Sequence, residues 1–237
     1  MAGIAVVAGA GSGVGRAVAV ELGKRGYDLA LLGRREAPLQ ETAALAGGAA
    51  RKLVVPCDLA DEVAVAAAAD RVRAELGDAE VLVNSAGTNV ARRSLAELSI
   101  EDYRLVIDVN LNGAYFVTRA FLPAMRQRGR GTIVHVVSDA GLSANRISGA
   151  AYVASKFGLV GLTGTINAEE RRHGIRACAV CPGEINTPLL DRRPAPPPVE
   201  ARAKMLQAED VAACVMLAID LPDRATVEQI IVRPREA

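Results

Sequence analysis

Ile4-Ala5-Val6-Val7-Ala8-Gly9-Ala10-Gly11-Ser12-Gly13-Val14-Gly15 is the stretch on which the fold turns. Its first five residues are apolar and read as a short buried strand. From Val14 to Arg25 the pattern becomes helical. Glycines stand at Gly9, Gly11, Gly13 and Gly15 between the two. A strand that turns through glycines into a helix lets backbone approach a pyrophosphate closely. The helix N-terminus then supplies unpaired N–H donors and a favourable dipole. The spacing G-x-G-x-x-G fails, because Val14 stands three residues past Gly11, whereas G-x-x-x-G-x-G fits at Gly9, Gly13 and Gly15. Gly9, Gly11, Ser12, Gly13, Val14 and Gly15 are the expected phosphate-loop residues. A tight turn without a ligand is the alternative.

Outward from this loop, short apolar runs alternate with longer helical stretches. The expected strands are 4–8, 29–32, 53–55, 81–83, 132–137, 176–180 and 228–232. The expected helices cover 14–25, 37–45, 62–76, 100–128, 151–172 and 208–218. Most strands are unbroken runs of Val, Ile, Leu and Ala, as parallel strands covered on both faces require. The pattern predicts an α/β fold: a doubly wound, Rossmann-like parallel β-sheet of about seven strands with helices on both faces. Residues 1–237 read as one nucleotide-binding domain. Four prolines between Arg192 and Val199 predict an extended surface loop, part of a segment of about 188–206 expected to cover the substrate.

Composition narrows the partners. The 237 residues are 51% hydrophobic, and 28 basic side chains stand against 27 acidic ones, leaving no cationic excess for a nucleic acid or an anionic membrane. No apolar run reaches the roughly 18 residues that cross a bilayer, and the apolar start lacks a basic leader, so a cytoplasmic location is expected. Cys178 and Cys181 form a C-x-x-C, but on a strand residues three apart face opposite sides. With only His135 and His173 available, a zinc site is poorly supplied, and no metal is expected. Buried thiols in a reducing compartment are the better reading.

Past the second strand the chain reads Leu32-Gly33-Arg34-Arg35-Glu36. The ribose of NAD usually meets an acid here. Arg34 and Arg35 suit a 2′-phosphate instead, while Glu36 falls further on, where a helix N-terminus accounts for it. NADP(H) is therefore the expected cofactor, with NAD(H) the competitor and a solvated arginine pair the alternative. In Tyr152-Val153-Ala154-Ser155-Lys156, the tyrosine and lysine lie one helical turn apart on one face. An ammonium beside a phenol draws its pKa down from about 10, and such a lysine also suits a hydrogen bond to a ribose. Alone, the pair is common on solvated helices.

Together these features resemble the short-chain dehydrogenase/reductase family in its shorter single-domain branch, over nearly the whole chain. The resemblance implies adenine contact by Asp58, followed by Leu59, and a cofactor-contacting turn at Asn84-Ser85-Ala86-Gly87. It implies a catalytic set of Asn110, Ser138, Tyr152 and Lys156. It also implies nicotinamide contact by Pro182, Gly183, Ile185 and Thr187. Ala8 stands where the family usually has threonine, and Ser85 and His135 where it usually has asparagine. By resemblance, the chain is an NADP(H)-dependent oxidoreductase acting on a small carbonyl or alcohol. Tyr152 would exchange the proton, Ser138 orient the oxygen, and Asn110 hold a water that relays protons to Lys156. The family also implies a homo-oligomer, a dimer or tetramer. A non-catalytic NADP(H)-binding sensor on the same fold is the second reading.

Overall fold

The computed structural model describes residues 3–49 and 51–235. The glycine-flanked opening run forms β1 (Ile4–Ala8), and the helical pattern after it forms α1 (Gly13–Lys24). Along β1, Ala5 and Val7 face one core, while Val6 and Ala8 face a second. A strand buried on both faces tolerates no polar alternation, which is why these runs are apolar throughout.

The same logic repeats through β2 (Asp28–Gly33), α2 (Glu36–Leu45), β3 (Lys52–Pro56), α3 (Glu62–Glu75) and β4 (Val81–Asn84). Glu36 opens α2, in the place its charge suits. Asp61 caps α3 by accepting from the N–H groups of Val63 and Ala64.

The stretch predicted as one helix over 100–128 differs. It comprises α4 (Ile100–Ile107), a π-helical turn over Asp108–Asn112, and α5 (Gly113–Arg128). Side-chain periodicity survives one extra residue in a turn, so the sequence pattern does not register the bulge. Gly113 permits close packing beneath it, since a Cβ there would lie 2.8 Å from the Leu59 carbonyl oxygen. Gly129, with φ 70°, ends α5 in the left-handed region.

Then follow β5 (Gly131–Val136), α6 (Ala150–Glu170), β6 (Ile175–Pro182), α7 (Val199–Arg202), α8 (Ala208–Asp220) and β7 (Gln229–Val232). The Pro-rich segment has no helix or strand between Arg193 and Pro198 and lies at the surface, with a 3₁₀ turn over Pro188–Arg192 before it and α7 after it.

The sheet has seven strands, ordered β3-β2-β1-β4-β5-β6-β7, and every pairing is parallel. Helices α1, α2 and α8 supply the core on one face, while α3, α5 and α6 supply it on the other. Cys178 lies in the first core, and Cys181 lies against α5 and α6 across the sheet. All four cysteines are free. The strand order reverses between β1 and β4, and a crevice opens at the carboxyl ends of the strands at such a point.

Candidate active site

A cleft of about 580 Å³ lies at that crevice. Its floor begins at the glycine loop. Gly9 and Gly13 have φ of 81° and 52°, which L side chains rarely adopt. A Cβ on Gly9 would come 2.6 Å from the backbone nitrogen of Ala86, so the loops after β1 and β4 approach each other only through a glycine. Ser12 sits at the N-cap of α1 but makes no side-chain bond to its first turn, which also lacks an acid. The opening N–H groups thus lie toward the cleft without a protein anion on them. Gly11, Ser12, Gly13 and Val14 line the cleft. Gly15 does not: its Cα packs beneath the loop, where a Cβ would fall 2.2 Å from the Gly9 carbonyl oxygen.

Arg34 and Arg35 stand exposed at one end of the cleft and form no ion pair among the described residues. Asp58 and Leu59 border the same end, and the Asp58 carboxylate also accepts from Ala60 N–H at 3.1 Å to fix its turn. Ala86 and Gly87 line the middle, while Asn84 lies behind them, 1% exposed. Its Oδ1 accepts from Ala86 N–H at 3.3 Å, and its buried Nδ2 has no protein partner. Pro182, Gly183, Ile185 and Thr187 form the opposite wall.

Glycine-loop geometry, an uncapped helix start and two unpaired guanidinium groups together fit a dinucleotide with an anionic end.

Beyond this region, Ser138, Tyr152 and Lys156 converge on one wall. Ser138 lies two residues past β5 and caps a 3₁₀ turn, its hydroxyl accepting from Ala140 N–H at 3.2 Å. Tyr152 is half-buried in the first turn of α6, where its phenol lies near Ser138. Burial pushes that phenol up to about 12, with the Ser138 hydroxyl and the nearby Arg193 and Arg93 pulling the other way. Lys156 is 3% exposed, donates to the Val136 carbonyl at 3.2 Å, and sits 5.4 Å from the centre of the Tyr152 ring. Burial pulls its ammonium down to about 8.

Spacing places lysine beside tyrosine, and in the structure burial raises the phenol and lowers the ammonium, disfavouring the charged form of each.

Asn110, on the π-helical turn, is fully buried and does not line the cleft. Its amide clamps the backbone of Thr88: Oδ1 accepts from Thr88 N–H at 2.7 Å, and Nδ2 donates to Thr88 O at 3.0 Å and to Ser155 Oγ at 3.1 Å. A Cβ on Gly87 would lie 3.7 Å from Lys156 Nζ and 3.8 Å from Asn110 Oδ1, so both groups flank that glycine from behind. His135 is fully buried between Thr118 and Thr163, and burial lowers its pKa to about 4.

The sequence gives no sign of Arg93 and Arg193, which also line the cleft. Arg93 donates to carbonyls of Val90, Ile147 and Arg192, three segments far apart in the chain, so no local pattern could announce it.

Comparison with known proteins follows the same outline. A family profile described as short chain dehydrogenase matches residues 3–198. D-beta-hydroxybutyrate dehydrogenase of Rhizobium meliloti is 32% identical over 90% of this chain and 82% of its own. The 2-dehydro-3-deoxy-L-rhamnonate dehydrogenase (NAD(+)) of a Sphingomonas strain is 36% identical over 80% of this chain and 75% of its own. Among solved structures, an alcohol dehydrogenase from the archaeon Thermococcus sibiricus, complexed with 5-hydroxy-NADP, superposes with a TM-score of 0.87. It is 27% identical and matches 99% of this chain and 97% of that one.

Proposed function

The chain belongs to the short-chain dehydrogenase family, and on that premise we propose that it is an NADP(H)-dependent oxidoreductase that interconverts a carbonyl and a secondary alcohol on a small organic substrate. The observation that carries this reading is the convergence of Ser138, Tyr152 and Lys156 on the wall of a cleft that begins at a helix N-terminus.

The glycine loop would hold the pyrophosphate, with Asp58 and Leu59 at the adenine end and the segment from Pro182 to Thr187 at the nicotinamide. Arg34 and Arg35 favour the 2′-phosphate, supported by the relative solved with an NADP derivative. The Sphingomonas relative, named for NAD(+), makes NAD(H) the competing choice. When bound, the nicotinamide supplies or accepts the hydride.

The protein's own groups handle the oxygen. In reduction, Ser138 donates a hydrogen bond to the carbonyl oxygen, and Tyr152 delivers a proton to it. A phenol held protonated by burial suits that direction. Lys156 places a cation beside the phenol ring, which stabilises the phenolate left after proton transfer. Asn110 positions rather than reacts: its grip on Thr88 fixes the backbone that separates Lys156 from the π-helical turn. No helix among the described residues is long and apolar enough to cross a membrane. A cytoplasmic homo-oligomer, dimer or tetramer, completes the reading.

The test is a panel of aldehydes, ketones and secondary alcohols followed by the absorbance of NADPH. Turnover on any member supports an enzyme. Tight NADPH binding with no turnover would support the sensor instead.

A further inference from the structure

The cleft wall next to Tyr152 carries more positive charge than the protein itself neutralises. Arg93 is 8% exposed, and its guanidinium donates only to carbonyls: Nε to Val90 at 2.7 Å, Nη1 to Ile147 at 3.3 Å and Nη2 to Arg192 at 2.6 Å. No carboxylate pairs with it among the described residues. A buried cation without a counter-charge is costly, and the cost falls when an anion arrives.

Arg193 lines the same cleft with its side chain 21% exposed, and its Nη1 meets Glu184 Oε1 at 2.7 Å. No other partner of that side chain is present among the described residues. The edge formed by Nε and Nη2 is therefore unused, and two parallel N–H groups on one guanidinium edge match the two oxygens of a carboxylate. The remaining acid on this wall, Asp139, faces Arg233 at 3.7 Å. Lys156 adds a further cation. The balance is two carboxylates, each with an arginine of its own, against the unmatched Arg93 and Lys156. Arg93 and Arg193 lie close enough that Arg193 lowers the pKa of Arg93, and both act on the Tyr152 phenol.

We infer that the substrate is an oxo acid or the corresponding hydroxy acid, its carboxylate received by the free edge of Arg193 while its reacting carbonyl lies at Ser138 and Tyr152. Arg93 is a positioning residue. It ties together the loops that follow β4, β5 and β6, and its uncompensated charge adds to the field that draws the anion in. Recognition of this kind rests on the oxidoreductase reading above, and the experiment is chosen to separate the two.

Pyruvate, acetoacetate and levulinate place the carboxylate at successive distances from the carbonyl, and each is compared with its own methyl ester. For at least one pair, the acid is preferred by tenfold or more in kcat/KM. Arg193→Gln cuts that preference at least tenfold, chiefly through KM, and Arg193→Lys restores part of it. Glu184→Gln, which releases the guanidinium, raises the preference several-fold. Calorimetric titration of the same acids and esters gives a readout independent of turnover, with acid binding weakened about tenfold in Arg193→Gln.

Esters used as well as acids by the wild type would overturn the inference while leaving the oxidoreductase intact. An acid preference that survives Arg193→Gln would also overturn it. Should no carbonyl be reduced at all, the oxidoreductase reading falls, and the calorimetric comparison of acid with ester still decides the carboxylate site by itself.

Discussion

Replacing Lys156 by methionine should stabilise this protein, and the gain should vanish in alkali. Lys156 is 3% exposed, donates one hydrogen bond to a carbonyl, and has no carboxylate partner among the described residues. Burial lowers its pKa from the ordinary 10.5 to about 8. Linkage converts that displacement into about 3 kcal/mol of destabilisation, present whenever both folded and unfolded chains carry the proton. The sign follows from proton counting. Between pH 8 and 10.5 the folded chain has released the proton and the unfolded chain still holds it, so stability rises with pH through that window. Methionine fills similar volume without charge, but it forfeits the bond to Val136 and the contact with the Tyr152 ring, together about 1–2 kcal/mol. The expected net gain is about 1–2 kcal/mol at pH 7, shrinking to nothing or reversing by pH 10.5. Urea unfolding of both proteins at pH 7, 8, 9 and 10 measures it, and the difference cancels groups common to both. A variant less stable than wild type at pH 7, with a gap independent of pH, would refute the reasoning, because Lys156 would then be electrically compensated. A position where an apolar side chain is the more stable choice is one where the charge is kept for use.

Two other outcomes follow. His135, held neutral with its pKa lowered from 6.5 to about 4, makes the wild type lose up to about 3 kcal/mol as pH falls from 6.5 to 4; His135→Asn flattens that loss in urea titrations, and a wild type equally stable at pH 4.5 and 7 would contradict it. Arg34→Asp removes one charged hydrogen-bond donor set worth about 1.5–3 kcal/mol, so it raises the Kd for NADPH by at least about tenfold while NADH changes little; fluorescence titration reads both, and equal losses would remove Arg34 from the 2′-phosphate.

The fold was legible because its strands are buried on both faces. Runs such as Ile4–Ala8 and Val81–Asn84 carry no polar residue until the strand end, so their reading did not depend on register. The phosphate loop was legible because Gly9 and Gly13 adopt backbone that other residues avoid. The π-helical turn at Asn110 was not, since one inserted residue leaves the apolar spacing of the flanking helices intact. Spacing placed Tyr152 and Lys156 on one face but carries no account of burial, which pushes the phenol up. Arg93 was invisible for a different reason: its partners at Val90, Ile147 and Arg192 meet only after the sheet assembles.

Tyr152→Phe keeps the ring and deletes only the hydroxyl. With the best carbonyl from the substrate panel, NADPH consumption by this variant should fall by at least about 100-fold, the usual contribution of a positioned proton donor, while NADPH affinity stays within a few-fold of wild type. Turnover that persists undiminished would contradict the assignment of the proton to this phenol and, with it, the proposed chemistry of the cleft.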